Sequence, residues 1–191
     1  MIAQTSAWRA GAAHTEIRLA SMLCLCKALG FRIIQGEVLV SDWDGILPVI
    51  KTCLEDDWSS ELRKIASRVC ETLLENYGDW LEERYLLDIY PLLLARLEDS
   101  KNTNRIEISK SLRVFFIVLK AKLSHFSNYK YMLRTLFTHL DDSDEQIQKA
   151  VSEVLRAALE FNKSEFLEVA REAVGRHRHP RCVKELIDLA E

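Results

Sequence analysis

The side chains best suited to chemistry are few and poorly arranged for it. Cys24-x-Cys26 could offer two thiolates to a metal, but the pair lies within a helical pattern, where residues two apart point in different directions. No Cys-x-x-Cys completes a zinc site. His177-Arg178-His179-Pro180-x-Cys182 is the densest metal-capable group, yet it alternates with Arg176, Arg178 and Arg181, whose charges repel a cation. That segment reads as a solvated helix end with cations near the C-terminal dipole. The chain has no Gly-rich phosphate loop, nucleophile elbow or His-Glu-x-x-His. The expectation is therefore no catalytic residue, no cofactor and no metal, and a protein that is not an enzyme.

Composition points the same way. The 191 residues are 48% hydrophobic and 29% charged, with 6 Gly and 3 Pro, which is globular and favours helices over turn-rich β structure. The 26 basic and 29 acidic residues leave a net charge of −3, without the basic excess that phosphate neutralisation demands, so no nucleic-acid partner is expected. Apolar runs such as Phe115 to Leu119 fall far short of the roughly 20 residues that span a bilayer, so no membrane partner is expected. Arg9, His14, Glu16 and Arg18 interrupt any signal-peptide core, which predicts a cytoplasmic protein. Its five cysteines then read as reduced thiols, with Cys24, Cys53 and Cys70 buried. The Asn162-Lys163-Ser164 sequon carries no sugar in that compartment.

What must position these groups is an internal repeat. Leu54-Glu55-Asp56-Asp57, Leu97-Glu98-Asp99-Ser100 and Leu140-Asp141-Asp142-Ser143 recur every 43 residues without gaps. Each is followed at fixed offset by an apolar ladder in steps of four: Ile65, Val69, Leu73; Ile108, Leu112, Phe116; Val151, Leu155, Leu159. Such steps put each triplet on one helix face. A preceding helix ends at each acidic tetrapeptide, with Ile50 and Leu54, Leu93 and Leu97, and Leu136 and Leu140 in register. Pro48 and Pro91 share one position in that helix and predict a common kink. The turn acids are placed to accept hydrogen bonds from the free N–H groups of the second helix. The unit is helix, acidic turn, helix, and the period selects an all-α solenoid of stacked antiparallel helix pairs of HEAT/armadillo type.

One array over residues 1–191 follows: a partial repeat over 1–36, repeats at about 37–79, 80–123 and 124–162, and a capping helix pair at 163–191. Thr15 to Leu29 reads as the second helix of an earlier repeat, with Ile17, Leu19, Ala20, Leu23 and Cys24 on its apolar side. Ser164 can cap a helix through Val174, and Pro180 opens the last. The chain thus reads as the C-terminal piece of a longer solenoid, beginning mid-repeat.

Trp8, Trp43, Trp58 and Trp80 suggest base stacking or packing between repeats, and the predicted helix starts near the last three favour packing. With each ladder buried, a second stripe faces outward: Arg63, Ser67, Cys70; Ile106, Lys110, Arg113; Lys149, Glu153, Arg156. In arrays of this class the second helices line the concave surface. Arg63, Lys110, Arg113, Lys149 and Arg156 are therefore candidate partner-binding residues in a shallow cationic groove, or else part of an ordinary solvated face.

The stretch Leu136 to Asn162, LFTHLDDSDEQIQKAVSEVLRAALEFN, and the closing VGRHRHPRCVKELIDLAE resemble the C-terminal region of the HEAT-repeat dynein axonemal assembly factors. The early AWRAGAAHTEIRLASMLCLCKAL is similar to the Trp-x-Ala-Gly-x-x-x-x-x-Ile-Arg segment with which that region begins. Glu98 to Asn104 matches that family less clearly. The resemblance implies a cytoplasmic, non-enzymatic protein-binding scaffold for preassembly of outer and inner dynein arms, associated also with cilia or flagella. Its partners would be dynein heavy or intermediate chains, other dynein assembly factors and chaperones. A general HEAT scaffold of the transport-receptor or phosphatase type and a HEAT-like nucleic-acid enzyme stay open as alternatives. No oligomeric state follows.

The proposed register is tested at its central rung. Leu112→Asp buries an unpaired carboxylate, at a cost of several kcal/mol against a total stability of roughly 5 to 15 kcal/mol. Circular dichroism should show lost helicity and a collapsed thermal transition; a wild-type melt would overturn the register.

Overall fold

The computed structural model describes residues 11–178 and 180–191. Ten α-helices run in chain order among them: α1 (Ala12–Gly30), α2 (Gly36–Ser41), α3 (Trp43–Leu54), α4 (Ser60–Tyr77), α5 (Glu83–Ala95), α6 (Asn102–Lys122), α7 (Tyr129–Leu140), α8 (Glu145–Leu159), α9 (Lys163–Val174) and α10 (Arg181–Ala190). Single 3₁₀ turns at Gly78–Trp80 and Arg96–Glu98 complete the connections. The short α2 and these turns occupy stretches without helical periodicity. Helices α3 and α5 run continuously through Pro48 and Pro91.

The chain is an all-α solenoid. Helices α1, α4, α6 and α8 stack side by side in one layer; α3, α5 and α7 form the other, each packed on its own second helix. Neighbours in the first layer pack extensively, whereas α3 and α5 scarcely touch. The first layer is thus the inner, concave one. Small side chains permit the close approach there: Ser111 Oγ, on α6, donates to the Ser67 carbonyl of α4 at 2.8 Å, both residues buried.

Every residue of the three ladders is buried, as are the paired Ile and Leu residues closing α3, α5 and α7. Burial of each such side chain contributes roughly 1.5 to 3 kcal/mol. Helix α1 corrects the sequence reading. Its buried face is Met22, Leu25 and Leu29 with Arg18, while Ile17, Ala20, Leu23 and Cys24 are exposed and Leu19 is half-buried. Both faces of α1 are apolar, so periodicity did not discriminate; the fit against α4 chose one.

The turn aspartates do more than approach a helix end. Asp56 Oδ1 accepts the Trp58 and Ser59 N–H groups at 3.0 and 2.8 Å, and its Oδ2 accepts Arg18 at 2.6 Å. Asp99 Oδ1 accepts the Lys101 N–H at 2.9 Å, while Arg63 binds both its oxygens at 2.6 and 3.0 Å. Asp142 Oδ1 accepts the Asp144 N–H at 2.8 Å, and its Oδ2 accepts Arg105 at 2.5 Å. Each aspartate shapes its own turn and receives the arginine of the preceding second helix. The helix caps proper stand further on: Ser59 for α4 and Asp144 for α8 accept N–H groups of the first turn. Asn162, rather than Ser164, caps α9 by accepting the Glu165 N–H at 3.1 Å.

Two arginines also reach backward. Arg63 Nη1 donates to the Asp56 carbonyl at 2.8 Å, and Arg105 Nε to the Leu97 carbonyl at 2.7 Å, tying successive turns together. Burial pushes the carboxyls of Asp99 and Asp142 up, but hydrogen bonds from Arg63, Lys101 N–H and Asn104 on one, and Asp144 N–H and Arg105 on the other, outweigh it and hold both below the ordinary value. Burial lowers the imidazoles of His139 and His177, against the opposing pull of Glu98 and Asp141 respectively.

The pH dependence of stability follows. The lowered histidines take up protons more readily when unfolded, so stability declines gently as pH drops below their ordinary value of about 6.5. The lowered aspartates contribute stability that is complete above about pH 4 and is lost as pH falls through their folded values. Thermal melts should show a shallow and then a steep acid limb. Asp99→Ala, which leaves Arg63 buried and unpaired, should cost about 3 to 5 kcal/mol at pH 7 and flatten the steep limb. A pH-independent melting temperature, or a silent Asp99→Ala, would contradict this account.

A candidate partner-binding groove

Helices α6 and α8 leave an open groove of ≈ 390 Å³ on the inner layer. Ile106, Ser109, Lys110 and Arg113 form one wall, and Gln146, Lys149, Ala150 and Glu153 the other. Both sets follow helical spacing, so each is a single stripe. Ser109 and Ala150 are small and set the floor low between longer neighbours.

The same seam one unit earlier is filled. Glu107 stands there in the position that Ala150 takes on α8, and its carboxylate receives Arg68 at 2.7 Å and Lys110 at 3.1 Å. Burial pushes the Glu107 carboxyl up, but these two cations more than compensate and lower it. Glu71 on α4 is raised by burial and by Glu75 and Glu107, while Lys110 and Arg113 oppose the shift. At the matching positions on the next seam, Arg68, Glu107 and Lys110 are replaced by Ser111, Ala150 and Glu153, so no ion cluster fills it and the groove stays open.

The five candidate cations separate in the structure. Lys110, Arg113 and Lys149 are exposed around this groove. Arg156 is exposed one turn further along α8, with Nε 4.0 Å from Glu153 Oε1. Arg63 does not face outward: it is 8% exposed and spent on Asp99 and the Asp56 carbonyl. Ser67 and Cys70 on its stripe are buried as well. Helix α4 lies between α1 and α6, and α6 covers the face that an isolated helix would show to solvent. Gln146, Ser109 and Ala150 escaped the sequence reading, although small residues beside a charged stripe at matched repeat positions were its available signal.

The other candidates fall into place individually. Among the described residues, no three His, Cys, Asp or Glu side chains gather as a metal site. All five cysteines are free thiols; Cys53 and Cys70 are buried, but Cys24 is exposed because it lies on the outward face of α1. Trp43 is buried edge-to-face on Tyr85 at 4.9 Å, and Trp80 packs over Gly36, where a Cβ would meet its ring at 2.2 Å. Trp58 is 82% exposed, so the packing expectation fails there. Trp8 and His179 lie outside the described residues. The tail is latched rather than free: Arg178 donates to the Asp141 carboxylate and carbonyl at 3.2 and 2.9 Å, and His177 stacks edgewise on Phe137 at 6.3 Å. No helix among the described residues is long and apolar enough to cross a membrane.

Fold and groove together define an armadillo/HEAT-type repeat protein with an accessible concave surface. Two solved structures share that fold: an engineered protein (TM-score 0.58, 12% identity, covering 97% of this chain and 74% of that one) and a designed armadillo repeat protein in complex with the peptide (KR)4 (TM-score 0.55, 12% identity, 97% and 77%). No protein-family model matches the chain. In sequence it is similar to proteins named Dynein axonemal assembly factor 5: 28% identical to that of Homo sapiens, 27% to that of Mus musculus and 26% to that of Xenopus laevis, each over 98% of this chain. These matches are consistent with the resemblance to the HEAT-repeat dynein assembly factors. The chain spans 22% of the length of these relatives.

Thiol reactivity reports the corrected placement. Burial pushes Cys53 and Cys70 up to about 12, leaving almost no thiolate at neutral pH. A thiol reagent at pH 8 should label Cys24 fast and Cys53 and Cys70 only on unfolding, as peptide mass spectrometry would show. Fast labelling of Cys70 in the folded chain would refute the packing.

Proposed function

We propose that this chain is a non-enzymatic protein-binding scaffold acting in the preassembly of axonemal outer and inner dynein arms in the cytoplasm, before the arms enter motile cilia or flagella. The observation that carries this reading is the similarity along 98% of the chain to relatives named as dynein axonemal assembly factors. The fold supports it, because stacked helix pairs present an extended concave surface suited to holding another protein. In this reading the units run over about 37–79, 80–123 and 124–162, after a partial unit at 1–36 and before a capping pair at 163–191. Dynein heavy or intermediate chains, other assembly factors and chaperones are the partners it implies.

Deleting the region encoding this chain in ciliated cells tests the reading. Electron microscopy should show axonemes without outer and inner arms, and fractionation should show arm subunits depleted or unassembled in the cytoplasm. Re-expression of the intact gene should restore both. Normal arms after deletion would reject the function.

A further inference from the structure

We propose that the groove between α6 and α8 docks an acidic amphipathic helix of a partner protein, with its apolar side on Ile106 and Ala150 and its carboxylates on Arg113 and Lys149. This inference rests on the scaffold reading above and specifies the chemistry of what the scaffold holds at this seam.

The charge ledger of the groove selects the sign of the partner. Lys110 is already matched by Glu107 at 3.1 Å, and Glu153 lies 4.0 Å from Arg156. Arg113 and Lys149, one on each wall, have no ion-pair partner among the described residues. Two cations without an ion pair, on opposite walls of a groove floored by the small Ser109 and Ala150, fit carboxylates flanking apolar side chains. A basic partner would meet three lining cations and one lining anion. Toward α4 the positive field is reduced by Glu71, which interacts with both Lys110 and Arg113.

Shape selects the helix. The lining of the groove runs from Ile106 to Arg113 along α6 and from Gln146 to Glu153 along α8. At 1.5 Å per residue each wall is about 10 Å long, the length of two helical turns. A third helix seated between two others buries apolar residues at i, i+3, i+4 and i+7 and keeps its polar face outward. Nucleic acid is the poorer fit. Two unmatched cations and an acidic Glu153 on the rim cannot supply the roughly 6 to 10 phosphate contacts of strong polyanion binding.

The probe is a fluorescent 14-residue peptide repeating Glu-Glu-Leu-Ala-Ala-Leu-Glu, followed by anisotropy with the full chain. A peptide with Lys in place of every Glu and a single-stranded DNA 20-mer serve as comparators. The acidic peptide should bind more tightly than either, with affinity falling as salt rises. Arg113→Glu combined with Lys149→Glu should weaken it roughly tenfold and flatten the salt dependence while leaving the melting temperature unchanged, since exposed charges contribute little to folding. Ala150→Glu, which fills the floor of the groove and adds an anion beside Glu153, should also weaken it. Equal binding of acidic and basic peptides, binding by the folded double variant within about twofold of wild type, or tighter binding of DNA would each overturn the proposal. A chain needed for dynein arms that ignores the acidic peptide would remove the groove and leave the scaffold; a chain that binds the peptide but is dispensable for arms would do the reverse.

Discussion

The bond between a turn aspartate and the arginine of the preceding second helix is the contact on which the stack depends. In Asp56 and Asp142 the two oxygens divide the work: one closes the local turn onto backbone N–H groups, the other takes a guanidinium from the unit before. Arg63 and Asp99 are both nearly dry, so neither charge can be left alone without a large penalty. A buried ion pair is weak evidence for net stability, since apolar side chains of similar volume can replace it. Its contribution here is register. A slip of one residue between α4 and α6 would leave Arg63 without Asp99 and Asp99 without its cation, which apolar packing alone would punish far less.

That relay explains the inner layer. Because the second helices are tied turn to turn, they approach closely enough for the Ser67 carbonyl and the Ser111 hydroxyl to bond directly. The outer helices bear mainly on their own partners, and the layer they form stays open. Curvature, and with it a concave side, follows from this asymmetry. Surface pairs such as Lys120 with Glu160 and Lys130 with Glu168 repeat the same unit-to-unit direction, but at these exposures each contributes roughly 0 to 1 kcal/mol. They decorate the register that the buried pairs enforce.

Within so regular a scaffold, local departures become informative. Glu107 and Ala150 occupy equivalent positions, yet one fills its seam with a three-membered ion cluster and the other leaves an open groove with Lys149 and Arg113 on its walls. All three members of that cluster change between the units, Arg68, Glu107 and Lys110 becoming Ser111, Ala150 and Glu153, on a backbone that the neighbouring units already position.

The sequence by itself determined the period, the helix pairs, the buried ladders and the acidic turns, because each is written in spacings of three, four and 43 residues that a chain displays without folding. The absence of catalytic motifs was equally visible. Which face of α1 is buried was not, since Ile17 and Leu23 compete with Met22 and Leu25 on nearly equal terms and only α4 breaks the tie. Nor was the fate of Arg63 legible: it and Lys149 hold matching positions in the repeat, but one meets Asp99 in the interior and the other meets water. Periodicity specifies where a side chain points on its own helix. What it meets there depends on how closely the next helix stacks, and that distance exists only in the tertiary structure.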